Sequence, residues 1–294
     1  MNLQHIGSPI PTSGLLAQQA LARGLSIEAR PSAVASPANE TARLAVVARP
    51  EPASANHAEL RAHALLAEDV YNDRASPPAG YRTASAQDLQ ALRLDPGVLE
   101  VGDLRARVYV TGSGADTRYT IAFRGTEGQG DWIANAQQGT GNDSLHYRQA
   151  LVIGQRIKNS PLASRVDFTG HSLGGGLASA AAIASGRPAD TFNAAGLHDT
   201  TIKQANAVRA GGTAGRVDAY YVSGEVLSAL QDGGDRVAGG LLGGLLGAAV
   251  ADAPSAYGTR HKLEAARPDG AGWLDGLNPV AKHGMDWVLS SLPR

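Results

Sequence analysis

VDFTGHSLGGG, residues 166–176, decides how the rest of the chain is read. Val166-Asp167-Phe168-Thr169 has the apolar and β-branched character of a short strand, and Gly170-His171-Ser172-Leu173-Gly174 follows it directly. LGGGLASAAAIASG (173–186) is small and apolar enough to form a helix packed tightly on a sheet, closed by Gly186. A G-x-S-x-G between a strand and a helix is the setting of a nucleophile elbow. The serine there adopts positive φ and crowds the residues two positions away on either side. Gly170 and Gly174 fill those positions and carry no Cβ. Leu173 opens the helix, so its N–H is available where an oxyanion would form.

A serine needs an imidazole base and an orienting carboxylate, and in this fold they follow it in the order acid, then histidine. The strand-like GRVDAYYV (215–222) is followed by Ser223-Gly224-Glu225, which puts Glu225 just past a strand end. Asp232 and Asp235 lie a little further on, and Asp218 lies within the strand. Glu225 is the favoured acid and Asp232 the next. Three histidines follow the serine. His198 precedes every acid candidate and reads as a helix-start residue, and His261, in YGTRHKLEA, sits among basic neighbours typical of a solvated face. His283, in AKHGMDWVLSSL (281–292), lies where a loop meets the last amphipathic segment and is the favoured base. His171 points away from the nucleophile in such an elbow, which leaves it a packing role.

The surrounding pattern agrees with the elbow. HAELRAHALLAEDVY (57–71) has helical spacing, and Ser85 with Asp88 forms a capping-box pattern. LRARVYV (104–110) and RYTIAF (118–123), separated by GSGAD, read as a hairpin. After them helices at 144–159, 173–186 and 198–212 alternate with strands at 164–170, 190–196 and 215–222. The expected fold is α/β, with a mostly parallel central sheet flanked by helices.

Composition bounds the function. Among 294 residues there is no cysteine, which excludes disulfides and thiolate chemistry, and 26 basic against 27 acidic residues leave a net charge of −1. That balance gives no support for nucleic-acid binding by bulk charge. No metal-binding cluster, phosphate loop or dinucleotide fingerprint stands out, so no cofactor or metal is expected. Residues 1–57 hold six of the 15 prolines and no aromatic, and read as a disordered segment ahead of a catalytic domain over 58–294. LLAQQALARGL (15–25) is the exception, with helical spacing suited to ordering on a partner. The N-terminus lacks the basic start and apolar run of a Sec signal peptide.

Two motifs, FTGHSLGGGLA (168–178) and YTIAFRGTEGQGDWIANAQ (119–137), resemble those of the class 3 lipases, a branch of the α/β hydrolases. The order and spacing of Ser172, Glu225 and His283 are also similar, over roughly residues 60–294. The resemblance implies that Thr126, after FRG, supplies the second oxyanion donor beside Leu173. It also implies a short hinged lid after Thr126, with Asp131, Trp132 and Ile133 as its lid and substrate contacts. Packing of Trp132 and Ile133 in the core is the other reading. The family usually carries Asp as its acid, so Glu225 is a departure. VAGGLLGGLLGAAV (237–250) reads either as a second lid dipping into a membrane or as a buried helix.

LLAEDVYND (65–73), TFNAAGL (191–197) and HGMDWVLSSL (283–292) further resemble bacterial secreted phospholipases A1. That implies an acyl-enzyme hydrolase releasing the sn-1 fatty acid from phospholipid at a membrane or micelle surface. Triacylglycerol lipase, esterase or acyltransferase chemistry uses the same residues, and an effector acting by binding alone is the alternative of another class. The resemblance also implies secretion by a Sec-independent type III or flagellar route. The N-terminal region would then serve as export signal or chaperone-binding segment, with peripheral membrane contact.

Overall fold

The computed structural model describes residues 53–125, 145–231 and 254–293, with side chains for 57–125, 145–228 and 254–293. All lie in the compact unit Glu51–Arg294. The expectations for residues 1–52, the helix at 15–25, Thr126, Asp131, Trp132, Ile133, Asp232, Asp235 and the segment 237–250 lie outside the described residues.

The described chain forms an eight-stranded sheet with helices on both faces. Its strands are β1 (Tyr81–Thr83), β2 (Glu100–Val101), β3 (Leu104–Thr111), β4 (Arg118–Phe123), β5 (Val166–His171), β6 (Ala189–Phe192), β7 (Val217–Val222) and β8 (Thr259–Leu263). The order is β1-β3-β4-β5-β6-β7-β8, with β2 paired on β3. The β1–β3 and β3–β4 pairs are antiparallel, and every pair from β4 to β8 is parallel. Parallel strands are covered on both faces, which is why β4 reads as a near-continuous apolar run.

The helices are α1 (Ala53–Asp69), α2 (Ala86–Ala91), α3 (Pro96–Leu99), α4 (Leu145–Lys158), α5 (Leu173–Ser185), α6 (Asp199–Arg209), α7 (Val226–Gln231) and α8 (Met285–Ser291). Ser85 and Asp88 make both bonds of the expected capping box at α2.

Alternation along the strands sorts side chains between two cores. Tyr119, Ile121 and Phe123 of β4, with Val166 and Phe168 of β5, join Tyr147, Ile153 and Ile157 of α4 and the buried face of α5 in the larger core. On the other face Leu60, Ala64 and Ala67 of α1 meet Phe192, Val222, Trp287 and Val288. The elbow helix α5 is buried along its whole length. Only small residues permit that closeness: a Cβ on Gly154 of α4 would press on Ala181 and Ala184.

Three strands escaped the sequence pattern, the short β1 and β2 and the longer β8. Thr259–Leu263 forms β8, parallel to β7 at the end of the sheet. Of its five residues only Leu263 is buried, so TRHKL carries no apolar alternation to announce a strand. No helix among the described residues is long and apolar enough to cross a membrane.

Candidate active site

Ser172 follows the last residue of β5 and caps α5, with φ 58° and ψ −127°. For a residue with a Cβ this is a strained conformation that surrounding bonds must hold. They do so from both sides. The Ser172 N–H donates to the Phe192 carbonyl at 3.0 Å, and its own carbonyl accepts from Gly175 at 3.0 Å and Ala195 at 2.9 Å. The flanking glycines are required by contact: a Cβ on Gly170 would overlap the Gly174 carbonyl, and one on Gly174 the Phe123 carbonyl. Leu173 is the first residue of α5, so the helix ladder does not use its N–H.

The strand β4 delivers the FRG segment to the same place. A Cβ on Gly125 would lie 3.3 Å from the Ser172 Cβ and closer still to the Tyr71 hydroxyl. The residue immediately before Thr126 thus rests on the serine.

Glu225 and His283 are brought together. Glu225 follows β7 and its side chain is 1% exposed. One carboxylate oxygen accepts from the Ser228 N–H, and the other from the Leu227 N–H at 2.9 Å. That second oxygen lies 2.8 Å from His283 Nδ1. With Nδ1–H donated to Glu225, the lone pair of the imidazole is left on Nε2. His283 ends a short 3-10 turn, Ala281–His283, ahead of α8. The turn is tied to the acid, because the Val226 N–H donates to the Pro279 carbonyl at 3.1 Å.

His171 does more than pack. It is buried, and its Nε2 lies 2.7 Å from the carbonyl oxygen of His283. A carbonyl only accepts, so Nε2 carries the proton and Nδ1 is the acceptor. The Tyr71 hydroxyl, 3.2 Å from that Nδ1, donates to it and accepts from the Gly125 N–H at 3.0 Å. The His171 and His283 rings are 4.8 Å apart. Burial, and next the charge of His283, push His171 down to about 3, against a raising effect of its bond to the His283 backbone. The ring is therefore neutral at ordinary pH.

Asn193, just after β6, completes the clamp. Its Nδ2 donates to the carbonyls of His283 at 2.9 Å and Lys282 at 3.3 Å, while its Oδ1 accepts from the Val222 N–H at 2.9 Å. Asn193 has φ 43°, a conformation asparagine tolerates better than most side chains. Neither Asn193 nor Tyr71 was singled out from the sequence; the asparagine in TFNAAG was its one local trace.

The other candidates lie apart from this group. His261, on β8, has Nε2 2.8 Å from Asp218 Oδ1 and stacks on Tyr220. It is a half-exposed residue of the end strand that pairs with Asp218 and stacks on Tyr220. His198 caps α6, accepting from the Thr200 N–H at 3.2 Å.

Among the described residues, groups of metal-binding type gather at Glu59, His63 and Asp167, whose ligand atoms lie within 4.8 Å of one another. Here His63 stands between two carboxylates, 2.7 Å from Asp190 and 3.4 Å from Asp167. Burial disfavours its charge, but Asp167, followed by the hydrogen bond to Asp190, outweighs burial and pushes His63 up to about 9. The protonated ring itself supplies the positive charge between the two acids. It joins α1 to β5 and β6 near the end of β5 opposite Ser172.

With this geometry in view, residues 62–269 match the Tle-like phospholipase domain, about seven tenths of the chain. The chain belongs to that phospholipase family. The match spans Ser172 and Glu225 and ends ahead of His283. The chain is also similar to the extracellular phospholipase A1 of Serratia liquefaciens, with 31% identity over 242 residues, covering 78% of this chain and 69% of that protein.

Proposed function

We propose that the protein is a phospholipase A1 built on a class 3 lipase plan, hydrolysing the sn-1 ester of phospholipids through an acyl-enzyme on Ser172. The observation that carries the reading is the buried Glu225–His283 pair, held at 2.8 Å beside the residue next to a strained serine. In this reading Nε2 of His283 takes the serine proton as Oγ attacks the acyl carbonyl. It then returns the proton to the departing lysophospholipid oxygen. Glu225 fixes the ring and balances the imidazolium that forms. The Leu173 N–H and Thr126 bind the oxyanion. Water, activated by the same histidine, releases the fatty acid.

The extracellular relative and the phospholipase family support a phospholipid substrate outside the cell. Secretion by a Sec-independent route, with residues 1–57 as signal or chaperone-binding segment ahead of the domain 58–294, rests on the N-terminal composition and the sequence resemblance. Asp131, Trp132 and Ile133 are assigned to the lid on the same basis.

The test is labelling with a fluorophosphonate, which traps an activated serine. The expected adduct maps to Ser172, and Ser172→Ala loses both the adduct and ester hydrolysis. An adduct on another residue, or full activity in Ser172→Ala, would overturn the assignment.

A further inference from the structure

Large apolar side chains exposed singly need no explanation, but three in one turn do. Trp273, Leu274 and Leu277 are 67%, 59% and 71% exposed, the most exposed large apolar residues among those described. Leaving each in water forgoes on the order of tenfold or more in equilibrium terms compared with burial. The chain has only three tryptophans, and this one faces outward.

The turn that presents them is well held. The Asp275 carboxylate accepts from the Gly272 N–H at 2.7 Å. The Leu277 N–H donates to Leu274 at 3.0 Å, and the Asn278 N–H to Asp275 at 3.1 Å. On its inner side Gly276 approaches Trp287 of the core, where an added Cβ would be 3.8 Å from the indole. The backbone is thus anchored while the apolar side chains point away from it. Exposure is a feature of the fold at this point.

Its place in the chain says what it meets. Asn278 and Pro279 follow at once. Asn278 Oδ1 accepts from the Val280 N–H at 3.0 Å, and Pro279 accepts from the residue after Glu225. Five residues separate Leu277 from His283. We propose that the turn 272–278 is an interfacial anchor, inserting Trp273, Leu274 and Leu277 into the phospholipid surface that holds the substrate. A tryptophan suits that depth, because its ring is apolar and its N–H reaches the headgroups. Charge in the segment is balanced, Arg267 and Lys282 against Asp269 and Asp275. The anchor therefore works by apolar insertion, on zwitterionic lipid, with little dependence on salt. This inference rests on the phospholipase reading for its occupant.

The experiment separates binding from turnover. In a full-length Ser172→Ala background, partition onto phosphatidylcholine vesicles is measured by co-sedimentation, with and without Trp273→Ser, Leu274→Ser and Leu277→Ser combined. The triple substitution is expected to weaken partition at least about tenfold. In the active background it should lower vesicle hydrolysis by a similar factor at limiting lipid, while hydrolysis of a soluble short-chain ester stays within about twofold. Unchanged partition, or none in the parent protein, overturns the anchor. So does an equal fall in soluble-ester hydrolysis, or a dimer in sedimentation that the substitutions dissolve. Vesicle binding without any phospholipid hydrolysis in the active background would leave the anchor standing and remove the phospholipase reading.

Discussion

His283 Nδ1 and Glu225 Oε2 stand 2.8 Å apart in a buried pair whose carboxylate also accepts two backbone N–H bonds. Those bonds fix the carboxylate, and the carboxylate fixes the ring. Glu225→Gln keeps the shape but offers His283 an amide, which favours the wrong tautomer. Turnover is expected to fall by roughly 10⁴, with KM nearly unchanged. Glu225→Asp withdraws the carboxylate by one methylene and should retain more activity than the amide. Steady-state kinetics on a soluble ester checks both, and an active Glu225→Gln would move the acid role elsewhere.

Asn193 holds the His283 loop against β7 through one amide. Asn193→Asp keeps the acceptor for Val222 and tolerates the positive φ, but loses the donor to two buried carbonyls. The expected cost is about 2–3 kcal/mol in chemical denaturation, from carbonyls left opposite a carboxylate. Turnover should fall with it, since His283 loses its support.

Tyr71 links the Gly125 N–H to His171, and His171 links to the His283 carbonyl. Tyr71→Phe removes the hydroxyl that fixes the His171 tautomer and leaves the Gly125 N–H unpaired. A loss of about tenfold in turnover is expected, the value of one hydrogen bond, with KM held. Nitrogen NMR of the His171 ring reads the tautomer directly and distinguishes this positioning role from a general loss of stability.

Two buried histidines shape stability with opposite signs. His171 has its folded pKa lowered to about 3, so below about 6.5 the unfolded chain binds a proton that the folded one refuses. Stability from this group falls as pH drops from 6.5 towards 3. His63 has its folded pKa raised to about 9, so its contribution is complete below 6.5 and is lost as pH rises to 9. Each limb carries about 1.4 kcal/mol per pH unit at most. The two together place a maximum near neutral pH. His63→Gln should lower stability at pH 6 and flatten the alkaline limb, as followed by urea denaturation across pH. An alkaline limb left unchanged would show that His63 is not charged in the fold.

The alternation of helix and strand was legible because buried parallel strands and a small-residue helix leave continuous apolar runs, as in RYTIAF and LGGGLASAAAIASG. The elbow was legible because the strained turn at Ser172 leaves no room for a Cβ at 170 or 174, and chain order pointed to Glu225 and His283, which the fold brings to 2.8 Å. What stayed hidden has physical causes. β8 sits at a sheet end with one buried apolar residue, so no local pattern announced the contact of half-exposed His261 with Asp218. His171, His63 and Asn193 owe their roles to partners 90 to 127 residues away. No local period records contacts of that range. The exposed turn at 272–278 has no period either; its three apolar side chains acquire meaning only once the fold leaves them facing outward.

Lipid mass spectrometry on defined phospholipid vesicles incubated with the protein tests sn-1 hydrolysis through Ser172 most directly. The expected products are the sn-1 fatty acid and 2-acyl lysophospholipid, both absent with Ser172→Ala. Equal release by Ser172→Ala, or a product that is 1-acyl lysophospholipid alone, would contradict it.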